Sequence, residues 1–117
     1  MSSSDFLSLD LPDQCLSLAG EINKVYQHLL WARKNAAVSR LKRQVNELAQ
    51  SVQKAHDSKS VLTTQKHLNN AVALTHECVP LMSLCVRKAL LSKDLHDRWI
   101  KRLNAIEKQL NEWLRAC

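Results

Sequence analysis

Four runs of apolar positions at spacings of three and four residues organise this chain, and each predicts an amphipathic helix. The first is Cys15, Leu18, Ile22, Val25, Leu29 and Ala32, widened by Leu16, Ala19, Tyr26 and Leu30. Pro12 suits a helix N-terminus, and Asp13 suits the positive end of the helix dipole. The pattern therefore predicts a first helix from about residue 13 to Trp31–Arg33. The Ser- and Asp-rich residues 1–12 are expected to form a flexible tail ahead of a bundle over 13–117.

Nothing from Arg33 to Ala37 is a strong helix breaker. Phase is the better evidence. A continued first helix would need core residues at 39 and 43, and those are Ser39 and Arg43. The seam instead resumes at Val38, Leu41, Val45, Leu48, Val52 and Ala55, which predicts a short turn near Asn35. A single continuous helix is the alternative. The polar cluster His56–Ser60 ends the second helix and offers caps for a third over about 61–90. That third helix is unusually apolar, through Leu68, Ala71, Val72, Leu74, Cys78, Val79, Leu81, Met82, Cys85, Val86 and Ala89. Pro80 lies inside it and is expected to kink it. Ser92 caps a fourth helix whose seam is Leu95, Trp99, Leu103, Ile106, Leu110, Trp113 and Cys117. Short connections between four such helices predict an all-α, up-down-up-down four-helix bundle. The surplus apolar surface of the third helix needs either a thick core or a second subunit to bury it, and so predicts an oligomer.

Composition narrows the chemistry. A single Gly in 117 residues leaves no glycine loop for phosphates and no dinucleotide fingerprint. Cys15, Cys78, Cys85 and Cys117 form no CxxC pair, and Cys78 and Cys85 stand two turns apart on one helix, roughly 10 Å. Reduced thiols serving as small apolar residues are expected, in a cytoplasmic protein. No apolar run is long enough to span a membrane, and residues 1–5 lack the basic start of a signal peptide. The five histidines give neither HxxxH nor HExxH, so no metal or other cofactor is expected. The close Arg-then-His pairing of small helical ribonucleases is also missing, and no enzyme is predicted.

Charge is where the pattern changes. The net charge is +6, yet residues 1–32 set only Lys24 against Asp5, Asp10, Asp13 and Glu21. Residues 33–66 then carry eight basic residues against Glu47 and Asp57. Arg33, Lys34, Arg40, Lys42 and Arg43 follow one another with no acid among them. Helical geometry sets Arg40, Arg43 and Lys54 opposite the seam of the second helix. It sets Arg98, Lys101, Lys108 and Arg115 in a stripe opposite the seam of the fourth, interrupted by Glu112. A like-charged stripe repels itself unless a polyanion neutralises it. These ten residues are the candidate nucleic-acid-binding set, RNA or DNA being the partner. The competing reading is an ordinary solvated face with pairs such as Asp94–Arg98 and Asp97–Lys101. No aromatic residues interleave the basic ones, so contacts to backbone and shape are expected rather than base stacking.

The second half carries a family resemblance. Lys66–Asn70, Leu90–Asp94 with its Leu91-Ser92 turn, and Leu110–Ala116 with its Trp113-Leu114 pair resemble a bacterial four-helix-bundle family. That family includes proteins encoded in intervening sequences of 23S ribosomal RNA genes and the accessory variability determinant of diversity-generating retroelements. The match covers roughly residues 61–117. In the second helix, Val45–Gln50 stands where the intervening-sequence branch carries a small-residue signature, so the resemblance points to the retroelement branch. It implies a basic homopentameric barrel that binds nucleic acid and a reverse transcriptase and supports complementary-DNA synthesis from template RNA, itself non-catalytic. The alternative from another class is a helical adaptor or chaperone that meets an acidic protein.

Overall fold

The computed structural model describes residues 3–27 and 35–117, with side chains from Asp10 onward. Four helices fill it: α1 (Ser3–Gln27), α2 (Ala36–Asp57), α3 (Val61–Arg87) and α4 (Lys93–Ala116). Each packs on its chain neighbours, and α1 closes the ring against α4. The diagonal pairs, α1 with α3 and α2 with α4, bring no Cα atoms within 8 Å of each other among the described residues. The result is a rod of 45 × 22 × 19 Å with the expected antiparallel order.

The predicted seam of α2 is buried at every position: Val38, Leu41, Val45, Leu48, Val52 and Ala55. The turn before it is real. Asn35 is extended (φ −82°, ψ 128°), and its side-chain oxygen accepts from the Ala37 and Val38 amides at 2.8 and 3.4 Å. Those amides have no helical acceptor of their own, so the cap replaces one. Ser60 and Ser92 cap α3 and α4 in the same way, through the amides of Thr63 and Leu95.

Two boundaries differ from expectation. The chain enters α1 at Ser3, well before Pro12, so residues 3–12 belong to the helix rather than to a tail. Leu11 explains the difference: it is fully buried, one turn before Cys15, and extends the seam backward through Leu11, Cys15, Leu18 and Ile22. Packing holds the helix through a proline that would otherwise begin it. The predicted end of the first helix, with Leu29, Trp31 and Ala32, lies outside the described residues. At the far end of α3 the helix stops at Arg87, short of Leu90. Ala89 takes a left-handed conformation (φ 58°), and the Leu90 and Ala89 amides donate back to the Cys85 and Val86 carbonyls. This is a Schellman closure with alanine where glycine is usual. The turn holds because Leu90 and Leu91 are buried beyond it. Pro80 lies in α3 with its ring exposed, so the helical carbonyl it leaves without a donor is on the outer side.

The α4 seam is buried from Trp99 to Trp113, whereas Cys117 is exposed. Cys15, Cys78 and Cys85 are buried free thiols, and burial pushes Cys15 and Cys78 up to about 12. They behave as apolar filling. The two largest fully buried side chains, Trp99 and Tyr26, meet edge to face at 6.3 Å. Not all apolar surface is covered: Leu16, Val61, Leu62 and Val79 remain exposed.

Candidate nucleic-acid interface

The basic residues do not form one surface. Arg40, Arg43 and Lys54 are exposed on α2, and Lys42 is half-buried. Lys101, Lys108 and Arg115 are exposed on α4. Because α2 and α4 occupy opposite corners of the ring, their outward faces point away from each other. Arg33 and Lys34 lie outside the described residues.

The α4 row has a simple geometry. Lys101, Lys108 and Arg115 recur every seven residues, which places them on one line at intervals of roughly 10 Å. No ion pair engages any of them among the described residues. Asp97, expected to pair with Lys101, instead meets Lys93 at 3.7 Å and His96 at 3.0 Å. The hydrogen bond from His96 holds its carboxyl below the usual range, helped by Lys93. On α2, Arg43 and Lys54 point outward, while Arg40 sits on the flank facing α3, one turn from Gln44.

Arg98 departs from the predicted stripe. Its guanidinium reaches across to α1 and meets Glu21 Oε1 at 3.1 Å, not Asp94 on its own helix. Arg102, which the sequence pattern did not single out, donates to Glu21 Oε2 at 3.2 Å and to Ser17 Oγ at 3.0 Å. The Trp99 indole N–H donates to the same Glu21 oxygen at 2.5 Å. Partial burial raises the Glu21 carboxyl, but the Trp99 and Arg98 hydrogen bonds and the two guanidinium charges outweigh it and hold the group below its ordinary value. Glu21 therefore ties α4 to α1. The available signal was one acid beside the apolar seam of the first helix and one arginine beside that of the fourth.

The remaining polar contacts also brace helix pairs. His76 meets Glu107 at 2.6 Å between α3 and α4, and Asn70 donates to Ser51 at 2.7 Å between α2 and α3. Among the described residues no three His, Cys, Asp or Glu side chains gather to hold a metal ion, and no helix is long and apolar enough to cross a membrane.

No known family model and no curated protein matches the chain. Among solved structures it is similar to a protein of unknown function from the S23 ribosomal protein family of Bacteroides thetaiotaomicron. The two superpose with a TM-score of 0.84, over 93% of this chain and 98% of that one, at 15% sequence identity. At that identity the likeness establishes the fold: this chain is a four-helix bundle of the kind an S23-family protein adopts.

Proposed function

We propose that this bundle is a basic, non-enzymatic nucleic-acid-binding protein whose principal contact is the α4 row. The observation that carries the reading is the alignment of Lys101, Lys108 and Arg115, exposed and without carboxylate partners among the described residues. Each cation that meets a phosphate displaces a condensed counterion, which drives binding and makes it salt-dependent. In its finer form the reading is an accessory protein of a diversity-generating retroelement. It partners the reverse transcriptase and supports complementary-DNA synthesis from template RNA in the cytoplasm. The resemblance of residues 61–117 and the fold shared with an S23-family protein support it. Assembly as a homopentameric barrel belongs to the same proposal. Exposed Leu16, Val61, Leu62 and Val79 give association something to cover. Association would also set one protomer's α2 cations beside a neighbour's α4 row, which a lone bundle keeps apart.

Salt titration of binding to a labelled single-stranded RNA tests the central contact. Replacing Lys101, Lys108 and Arg115 with Ala should weaken binding and flatten the dependence of log K on log salt by about 2, near 0.7 per lost contact. Unchanged affinity and slope in that variant would refute the α4 row. Light scattering should show several protomers, and a mass of 13.3 kDa would remove the barrel.

A further inference from the structure

Between α2 and α3 runs a groove of about 340 Å³, lined by Arg40, Glu77, Pro80, Leu81, Leu84 and Arg87. Its floor is aliphatic: Leu81 is buried, Leu84 half-buried, and the Pro80 ring open to solvent. Its cations come from opposite walls. Arg40 stands on α2 and Arg87 on the last turn of α3, and neither has an ion pair among the described residues. Glu77, the one carboxylate lining the groove among the described residues, accepts from Gln44 Nε2 at 2.8 Å; Gln44 is one turn from Arg40, so Arg40 stands roughly 6 Å along the groove from Glu77 and Arg87 at its far end. From Glu77 to Arg87 the groove runs roughly 15 Å along α3, about the length of three helical turns of a ligand.

We propose that this groove docks an acidic, amphipathic peptide segment of a protein partner. A large apolar side chain lies on Pro80, Leu81 and Leu84, and flanking carboxylates meet Arg40 and Arg87. The order of charges selects this occupant. A phosphodiester chain is negative throughout and would be driven against Glu77. A peptide can set carboxylates opposite Arg40 and Arg87 and leave a neutral or cationic residue for Glu77. Among the described residues the floor also has no aromatic ring on which a base would stack and no polar side chain to read a base edge. An apolar anchor flanked by arginine-to-carboxylate contacts is the usual anatomy of a small peptide-binding groove. The groove is separate from the α4 row, so it stands whether or not that row binds nucleic acid.

Peptide display gives the test. A library of randomised 12-residue peptides is selected on the immobilised full-length chain, and enriched peptides are measured by fluorescence polarisation. The expected winners carry one large apolar residue flanked by Asp or Glu. Their affinity should fall at least tenfold for R40A/R87A and for R40E/R87E, with the helical circular dichroism of each variant unchanged. Exchanging the peptide's acids for Lys should restore binding to R40E/R87E and abolish it to the parent chain. The proposal is overturned if enriched peptides lack the acidic-apolar pattern, or bind both variants as tightly as the parent. It is equally overturned if oligo-uridylate binding drops tenfold in R40E/R87E while K101E/K108E/R115E retains it, since the groove would then serve nucleic acid.

Discussion

Where α1 meets α4, a carboxylate faces cations: Glu21 holds Arg98, Arg102 and the Trp99 indole, while Asp10 accepts from neutral Gln14, which bridges to Gln109. Where α2 meets α3, the polar contacts are neutral or singly charged, Asn70 to Ser51 and Gln44 to Glu77, and Arg40 and Arg87 flank the seam without ion pairs among the described residues. The two seams belong to one core, yet they treat arginine differently. On the first, arginine is consumed in joining helices. On the second, it is left facing solvent. A net charge of +6 sums both kinds and so overstates what is free for a ligand.

The largest expected effect tests whether α1 reaches full length along this seam. Leu11 is fully buried, so Leu11→Ala should cost about 3 kcal/mol in urea unfolding, the usual penalty for emptying a Leu site. Were the segment ahead of Pro12 a tail, the loss would be close to zero.

Glu21→Gln comes next. The amide oxygen still accepts from Trp99, but the charge facing Arg98 and Arg102 is gone. The carboxylate is about one-third exposed (side chain 32%), so solvent screening limits the loss to about 1–2 kcal/mol near pH 7. The sign of the pH dependence follows from the depressed carboxyl. Its contribution is present above the ordinary value of 4.5 and fades as pH falls through the lower, folded-state value. The gap in stability between parent and variant should therefore narrow as pH falls below about 4.5. Asp57 and Asp97, lowered by hydrogen bonds from Gln53 and His96 respectively, are present in both proteins and cancel in the difference. A gap that stays constant to pH 3 would show that Glu21 acts by shape and not by charge.

What could be read ahead of the structure divides along the same line. The α2 seam, the Asn35 turn and the caps at Ser60 and Ser92 depend on residues within one helix and its ends, where a period of 3.6 is enough. The same local geometry puts Arg98 on the outward stripe, with Asp94 as the competing partner. Its real partner, Glu21, lies 77 positions away and depends on which helix closes the ring. Leu11 was missed because Pro12 is a strong local signal that tertiary packing overrode. The left-handed residue at 89 carried no signal, since alanine stands where glycine would have marked it. The α2–α3 groove was unreadable for a related reason. Arg40 and Arg87 line one cleft only because α2 pairs with α3 in the register of Gln44–Glu77 and Ser51–Asn70.

The smallest effect sharpens the comparison most. Glu77 matches Glu21 in charge and also bridges two helices, so a count of acids would rank them equally. Its environment says otherwise. It is exposed and accepts one neutral hydrogen bond, which an amide oxygen can replace. Glu77→Gln should change stability by less than about 0.5 kcal/mol, as surface substitutions away from buried networks do. A loss comparable to that of Glu21→Gln would erase the distinction between a seam that uses charge and one that leaves it free. The same substitution has a second readout. Removing the one carboxylate of the groove makes its field more uniformly positive, so an acidic peptide should bind about twofold tighter. Stability held constant while acidic-peptide affinity rises is the result that assigns α1–α4 charge to folding and α2–α3 charge to recognition.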